Sequence, residues 1–198
     1  MARPRIILMN EINVVGFDPS LRNWGIAVGR LNPNTMRLTI DNLDVSRPIE
    51  LKGKQVRQNS KDVEVAYQHF MASTKVAERA QAVFVEVPVG SKSARAMASY
   101  GICVGVLGAI RGAGIPFFEV TPDQVKKVSV GKKTATKDEM IAWAMQTHPE
   151  APWPMQTQKG VTSVVSGTAE HMADAIAAIY AGMATAEFQR TLSFLKAA

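Results

Sequence analysis

Four side chains lying far apart in the chain have the types and settings to do chemistry together: Asp18, Glu86, His171 and Asp174. Asp18 ends the apolar run INVVGFD, and Pro19, Ser20 and Asn23 separate it from a second run, WGIAV. A carboxylate at a strand end, beside a turn and its backbone N–H groups, adds little to a core and is well placed to hold a cation. Glu86 stands near the C-terminal end of the short run AVFVEV, where burying a lone carboxylate is costly without a partner. His171 and Asp174 lie in TAEHMADAIAAIYAGM, where a helix puts both on one face next to Glu170. Each residue has an ordinary explanation as a turn aspartate, a salt-bridged glutamate or a solvent-facing histidine. Together they read differently, because carboxylates gathered at one sheet edge repel each other and divalent cations relieve that repulsion.

The segment VTPDQVKKVSVGKKTATKDEM, residues 120–140, points to the substrate class. Lys126, Lys127, Lys132, Lys133 and Lys137 follow one another there with no acid between them. Lysines and helix N-termini suit phosphate. A charge run alone is usually a solvated face, but beside the carboxylate set it argues for phosphodiester chemistry. Lys52 and Lys54, in a basic loop over 46–60, and Lys92 and Arg95, at the start of a small-residue segment, are further candidate contacts to a nucleic-acid backbone. The formal net charge of +6 favours an anionic partner.

The elements that must position these groups make one α/β domain spanning 1–198, since 198 residues at 46% hydrophobic and 20% charged suit a single globular core. Ile12 to Val28 reads as a β-hairpin, and Thr35 to Val45 as a third antiparallel strand. Ser60 can cap a helix to about Arg79 that packs Val63, Ala66, Tyr67, Phe70, Met71 and Val76 on the sheet. A strand at 82–87, a helix at 91–113 and a strand at 115–120 form a parallel crossover unit. In that helix Gly101, Gly105 and Gly108 invite close approach by the sheet or a second subunit. Thr121 with Pro122, and Thr136 with Glu139, start two short helices around GKK. Residues 147–167 read as a long irregular loop, Thr168 as the cap of a buried helix, and 185–196 as an amphipathic helix that only packs. The lone cysteine, Cys103, excludes an internal disulfide and suits a small buried side chain in a reducing, cytoplasmic compartment. The N-terminal MARPRIILMN is not followed by a small-residue cleavage region, and no apolar run reaches membrane-spanning length, so neither export nor a membrane is expected.

Four segments in order resemble the RuvC family of Holliday-junction resolvases. GFDPSLRNWGIAV is similar to the family's opening G-x-D-P-G/S-x-x-x-x-G motif, and VFVEV to its second acidic strand. TPDQVKKVSVGKKTATKDEM is similar to its lysine segment, and HMADAIA to its [D/H]-x-x-D-A-x-A helix. The resemblance implies a ribonuclease-H-like fold: a mixed five-stranded sheet, order 3-2-1-4-5 with strand 2 antiparallel, flanked by helices. It implies a homodimer acting on branched DNA and four-way junctions, with Asp18 bridging two cations, Glu86 on one side and His171 and Asp174 on the other. Lys126 and Lys137 fall where the family's important lysines fall. The chain departs from the pattern at Val89, which stands where the family has an aromatic residue entering the junction. The loops at 46–60 and 147–167 look expanded, as in a viral or mobile-element relative that would work in a host cytoplasm.

The expected chemistry is hydrolysis assisted by two cations roughly 4 Å apart, leaving a 5′-phosphate and a 3′-hydroxyl, with Lys137 offsetting charge on the phosphorane. Mostly oxygen ligands favour Mg²⁺, and the imidazole makes Mn²⁺ an effective substitute. A sugar-kinase-like phosphotransferase would need a second domain and a second Gly-rich hairpin, and neither is found. A ribonuclease H acting on RNA–DNA hybrids is the closest rival, and a non-catalytic branched-DNA-binding protein would have no use for Asp18, Glu86 and Asp174.

Overall fold

The computed structural model describes residues 11–49, 51–53 and 57–197. Lys54 and the N-terminal segment lie outside the described residues. Strands β1 (Ile12–Asp18), β2 (Trp24–Asn32) and β3 (Arg37–Ser46) form an antiparallel meander, and β4 (Ala82–Glu86) and β5 (Phe118–Val120) extend it in parallel. The sheet order is β3-β2-β1-β4-β5, as expected. β5 is shorter than the expected 115–120 strand, because pairing with β4 begins only at Phe118.

Alternation along the strands divides the core into two layers. Val14 and Ala27 join the core with Phe84 on one face, packed by Ala175, Ile176 and Ile179 of helix α5 (Ser166–Met183). Val15, Phe17, Trp24, Val83 and Val85 face the other way, onto α1 (Gln58–Ala77) and α2 (Ala94–Gly112). Cys103 of α2 is buried there as a small apolar group, and burial pushes its thiol up to about 12. Helices α3 (Pro122–Ser129) and α4 (Lys137–Thr147) begin with full capping boxes at Thr121 and Thr136. The last helix, α6 (Ala186–Ala197), packs Phe188 against Phe84 and Phe118. Among the described residues no helix is long and apolar enough to cross a membrane.

Four local expectations are corrected. α1 starts two residues before Ser60, with Arg57 at the N-cap position and no side-chain cap. It buries Val65, His69, Ser73 and Ala77 at i, i+4 spacing, whereas Val63 is 70% exposed and Tyr67 and Met71 also face outward. The centre of this buried stripe, His69 and Ser73, is polar, so apolar periodicity does not mark it. His69 is tolerated inside because its ring nitrogens meet the Leu21 carbonyl at 3.0 Å and the Ser46 hydroxyl at 3.2 Å. The third correction concerns 147–167, which contains a two-stranded hairpin, β6 (Met155–Gln158) and β7 (Val161–Val164). Lys159 and Gly160 both take positive φ, 49° and 78°, the pairing a two-residue hairpin turn needs. Finally, α5 begins at Ser166, so Thr168 lies in its first turn rather than at its cap.

Two glycines set how close α5 lies to the sheet. A Cβ at Gly16 would stand 2.1 Å from the Ala175 carbonyl oxygen, and one at Gly25 would stand 2.1 Å from that of His171. Both obstacles are backbone, so the helix itself would have to move. Gly25→Ala should therefore lower the melting temperature by about 5–10 °C in a thermal melt. An unchanged midpoint would mean that α5 does not depend on this contact.

Candidate active site

β1 and β4 are parallel neighbours, with Phe17 opposite Val85, so their next residues, Asp18 and Glu86, emerge at the same sheet edge. Gly25, the cross-strand partner of Asp18, is where the backbone of His171 comes closest. α5 therefore delivers His171 onto the end of β1. The His171 Nδ1 lies 2.8 Å from Asp18 Oδ2, with side-chain exposures of 15% and 14%. On its other side, His171 Nε2 is 3.3 Å from Glu170 Oε1, and Glu170 Oε2 pairs with Lys137 Nζ at 2.8 Å. The result is a chain of alternating charge, Asp18–His171–Glu170–Lys137, crossing from β1 over α5 to the start of α4.

Glu86 and Asp174 stand within electrostatic reach of Asp18. Burial, then the charges of Asp18 and Asp174, push the Glu86 carboxyl up to about 9, against a smaller pull from Lys126. Burial and Asp18 push Asp174 up to about 7, while His171 and Lys126 pull it down. Burial works to lower the His171 pKa, but the bond to and charge of Asp18, with Glu170 and Asp174, outweigh it and the net shift is upward. The bond to Glu170 raises Lys137.

All four expected carboxylate and imidazole positions thus converge on one edge, with Lys126 and Lys137 at its rim. Among the described residues no three acidic, histidine or cysteine side chains close into a ready-made cation cage, and His171 is turned onto Asp18. The donor chemistry nevertheless suits a hard divalent cation: three carboxylates and one imidazole, with Glu86 and Asp174 pushed towards protonation by burial and by the charge of Asp18.

The outlying lysines are distributed differently. Lys132 is ion-paired with Glu139, and Lys133 with Asp123 at 2.6 Å. Lys127 lines a groove with Ala181, Ala184 and Thr185, at the opposite end of α5 from His171. Lys52 and Lys92 are exposed, and Arg95 lines a polar cavity of about 450 Å³ with Arg22, Asn23 and Tyr100 beside the β1–β2 turn. Val89 is 72% exposed between β4 and α2. Glu170, read from sequence only as part of a polar face, is the link between His171 and Lys137. Its place before a histidine in a helix's first turns was the available signal.

A carboxyl whose folded pKa exceeds its unfolded value destabilises the fold above the unfolded value, increasingly until pH passes the folded one. Glu86 acts so from 4.5 to about 9, and Asp174 from 3.8 to about 7. His171, raised instead by its partners, contributes stability that is lost as pH rises through its folded pKa. All three signs agree, so without divalent cations these groups favour pH 5 over pH 8. Glu86→Gln should raise the metal-free melting temperature at pH 8 by at least about 3 °C and change it less at pH 5. An equal or lower midpoint at pH 8 would contradict the assigned charge crowding.

No family model matches the chain, and no curated protein sequence matches it. Solved structures do. One is Thermus thermophilus RuvC, 21% identical, covering 91% of this chain and 96% of its own, with a TM-score of 0.57. Another is T. thermophilus RuvC in complex with a Holliday junction substrate, 19% identical, covering 85% of this chain and 93% of its own, with a TM-score of 0.58. Sheet order, strand directions and flanking helices agree, and the chain has the ribonuclease-H-like fold of these RuvC structures.

Proposed function

We propose that the protein is a metal-dependent endonuclease of the RuvC type that resolves four-way junctions and cuts other branched DNA. The observation that carries this reading is the convergence of Asp18, Glu86, His171 and Asp174 on one sheet edge, with Lys126 and Lys137 beside them. The shared fold with a RuvC structure bound to a Holliday junction supports the substrate. Asp18, Glu86, Asp174 and His171 would hold two divalent cations, Mg²⁺ or in its place Mn²⁺. Those cations would supply an activated water and charge stabilisation for the leaving 3′ oxygen. Because the Glu86 and Asp174 carboxyls are raised, cation binding there would compete with protonation and would strengthen as pH rises. Release of His171 from Asp18 would free both as ligands, and Lys137, 77% exposed and paired among the described residues with Glu170, could turn towards a phosphate. Lys126 lowers the cost of the crowded carboxylates. Lys127, Lys132, Lys133, Lys52, Lys54, Lys92 and Arg95 are proposed backbone contacts, for which the surface pairs of Lys132 and Lys133 are weak competitors. With Val89 at the loop tip, recognition rests on branched shape more than on bases.

Two matched incisions call for a homodimer, and the face opposite α5 offers the surface. Val63, Ala66, Tyr67 and Phe70 of α1 and Ile102, Gly105 and Val106 of α2 line an apolar groove of about 570 Å³. Among the described residues nothing lies within 4 Å of a Cβ built at Gly101, Gly105 or Gly108, so none of them is made necessary by a close contact there. A second copy accounts for them better than the sheet does.

Two measurements test these assignments. Asp18→Asn should reduce cleavage of a four-way junction at least about 10²-fold in Mg²⁺ while a gel shift still detects binding. Near-normal cutting would refute the site, and cutting confined to RNA–DNA hybrids would move the protein to the ribonuclease H class. Sedimentation should find a dimer, and Gly105→Glu, which puts a charge into the apolar groove, should yield a folded monomer. A monomer both free and on junction DNA would remove the resolvase reading.

A further inference from the structure

We propose that Arg47 is a pre-set clamp for a backbone phosphate of the substrate strand next to the carboxylate site; this rests on the branched-DNA reading above. Arg47 follows Ser46, the last residue of β3, which pairs with Trp24 at the start of β2. Its guanidinium is braced from two sides. Nε donates to Asn23 Oδ1 at 3.1 Å, and Nη2 donates to Thr168 Oγ1 at 2.6 Å. Both acceptors are neutral. Arg30 and Arg111, by contrast, are paired with carboxylates that cancel their charge. Arg47 is exposed and oriented, among the described residues no carboxylate pairs with it, and its two bonds use Nε and Nη2, leaving Nη1 for an incoming anion.

The braces come from the two elements that build the site. Asn23 lies in the turn that follows Asp18, and Thr168 is one helical turn before His171 on the same face of α5. The guanidinium is therefore tied to a point about 5 Å along the α5 axis from the ring that touches Asp18. Successive charges on one nucleic-acid strand are spaced about 3.4 Å along the duplex axis, so a phosphate at the Asp18–His171 pair has a neighbour one or two nucleotides away within reach of Arg47. α5 has no side-chain cap, so its positive end adds to the field at the same place.

A lysine would supply a point charge only. A planar guanidinium held by an amide and a hydroxyl offers parallel donors to phosphate oxygens and loses little freedom on binding. That distinguishes Arg47 from the lysines of 120–140: it sets the direction and register of the strand rather than adding general attraction. An arginine that merely tied the β3 end to α5 would behave otherwise. Its loss would then appear in fold stability, and removing either acceptor would reproduce it.

The test measures binding of a fluorescent four-way junction by anisotropy between 50 and 200 mM salt, in an Asp18→Asn background so that the DNA stays intact. Arg47→Ala should weaken binding about ten-fold at 0.1 M salt and reduce the slope of log affinity against log salt by about 0.9, one phosphate contact, with an unchanged melting temperature. Arg47→Lys should keep the slope and lose part of the affinity. Thr168→Val, which removes a brace and keeps the charge, should also keep the slope. If the parent binds junction DNA and Arg47→Ala leaves slope and affinity unaltered, the clamp is wrong while the nuclease reading stands. A slope that falls equally in Thr168→Val, or an Arg47→Ala effect explained by a lower melting temperature, makes Arg47 a structural tie and overturns the proposal. A parent that binds no branched DNA removes both readings.

Discussion

The site depends on how closely α5 lies against the first two strands. Gly16 and Gly25 leave no room for even a methyl group between sheet and helix backbone, and Gly25 is the residue paired with Asp18. The 2.8 Å contact of Asp18 with His171 follows from that approach. Packing at this distance also explains small residues on the sheet-facing side of α5: Ala173 and Ala175 are fully buried in the core with Val14, Ala27 and Phe84, and larger side chains there would lift the helix away from the strands.

Such closeness concentrates negative charge where water is partly excluded. Burial and the charge of Asp18 push the Glu86 and Asp174 carboxyls towards the protonated form, and the His171 imidazole is turned onto Asp18. Both arrangements relieve charge crowding without closing the edge, because a proton and a rotatable ring are displaceable. The partner of Lys137, Glu170, itself only 17% exposed, holds the exposed lysine beside the carboxylates.

The two faces of the sheet have divided roles. The α5 face carries every charged group of the site. On the opposite face α1 turns Val65 and the satisfied His69 inward and leaves Met71 exposed and Val63 and Tyr67 outward along a groove shared with α2. An apolar stripe that points away from its own core loses hydrophobic stabilisation in an isolated subunit, which is the physical basis for reading this face as one that is covered by a second copy.

Short-range rules were enough for much of this protein. Strand ends at Asp18 and Glu86, the i, i+3 pair His171 and Asp174, the starts at Thr121 and Thr136 and the parallel crossover around α2 are local patterns, and the sheet order followed from resemblance in four of them. What needed the tertiary structure was whatever depends on partners distant in the chain. Apolar spacing on α1 pointed to Val63 and Tyr67, because periodicity counts hydrophobic residues and cannot see that Ser46 and the Leu21 carbonyl satisfy a buried His69. The lysine run looked uniform, yet Lys132 and Lys133 are paired, Lys127 faces the far end of α5, and only Lys126 and Lys137 reach the carboxylates. Composition hid the β6–β7 hairpin among prolines and polar residues, although its Lys159-Gly160 turn is a local signal. The bond between Asp18 and His171 spans 153 positions, and it exists because two glycines let a helix touch a sheet, a distance that only packing decides.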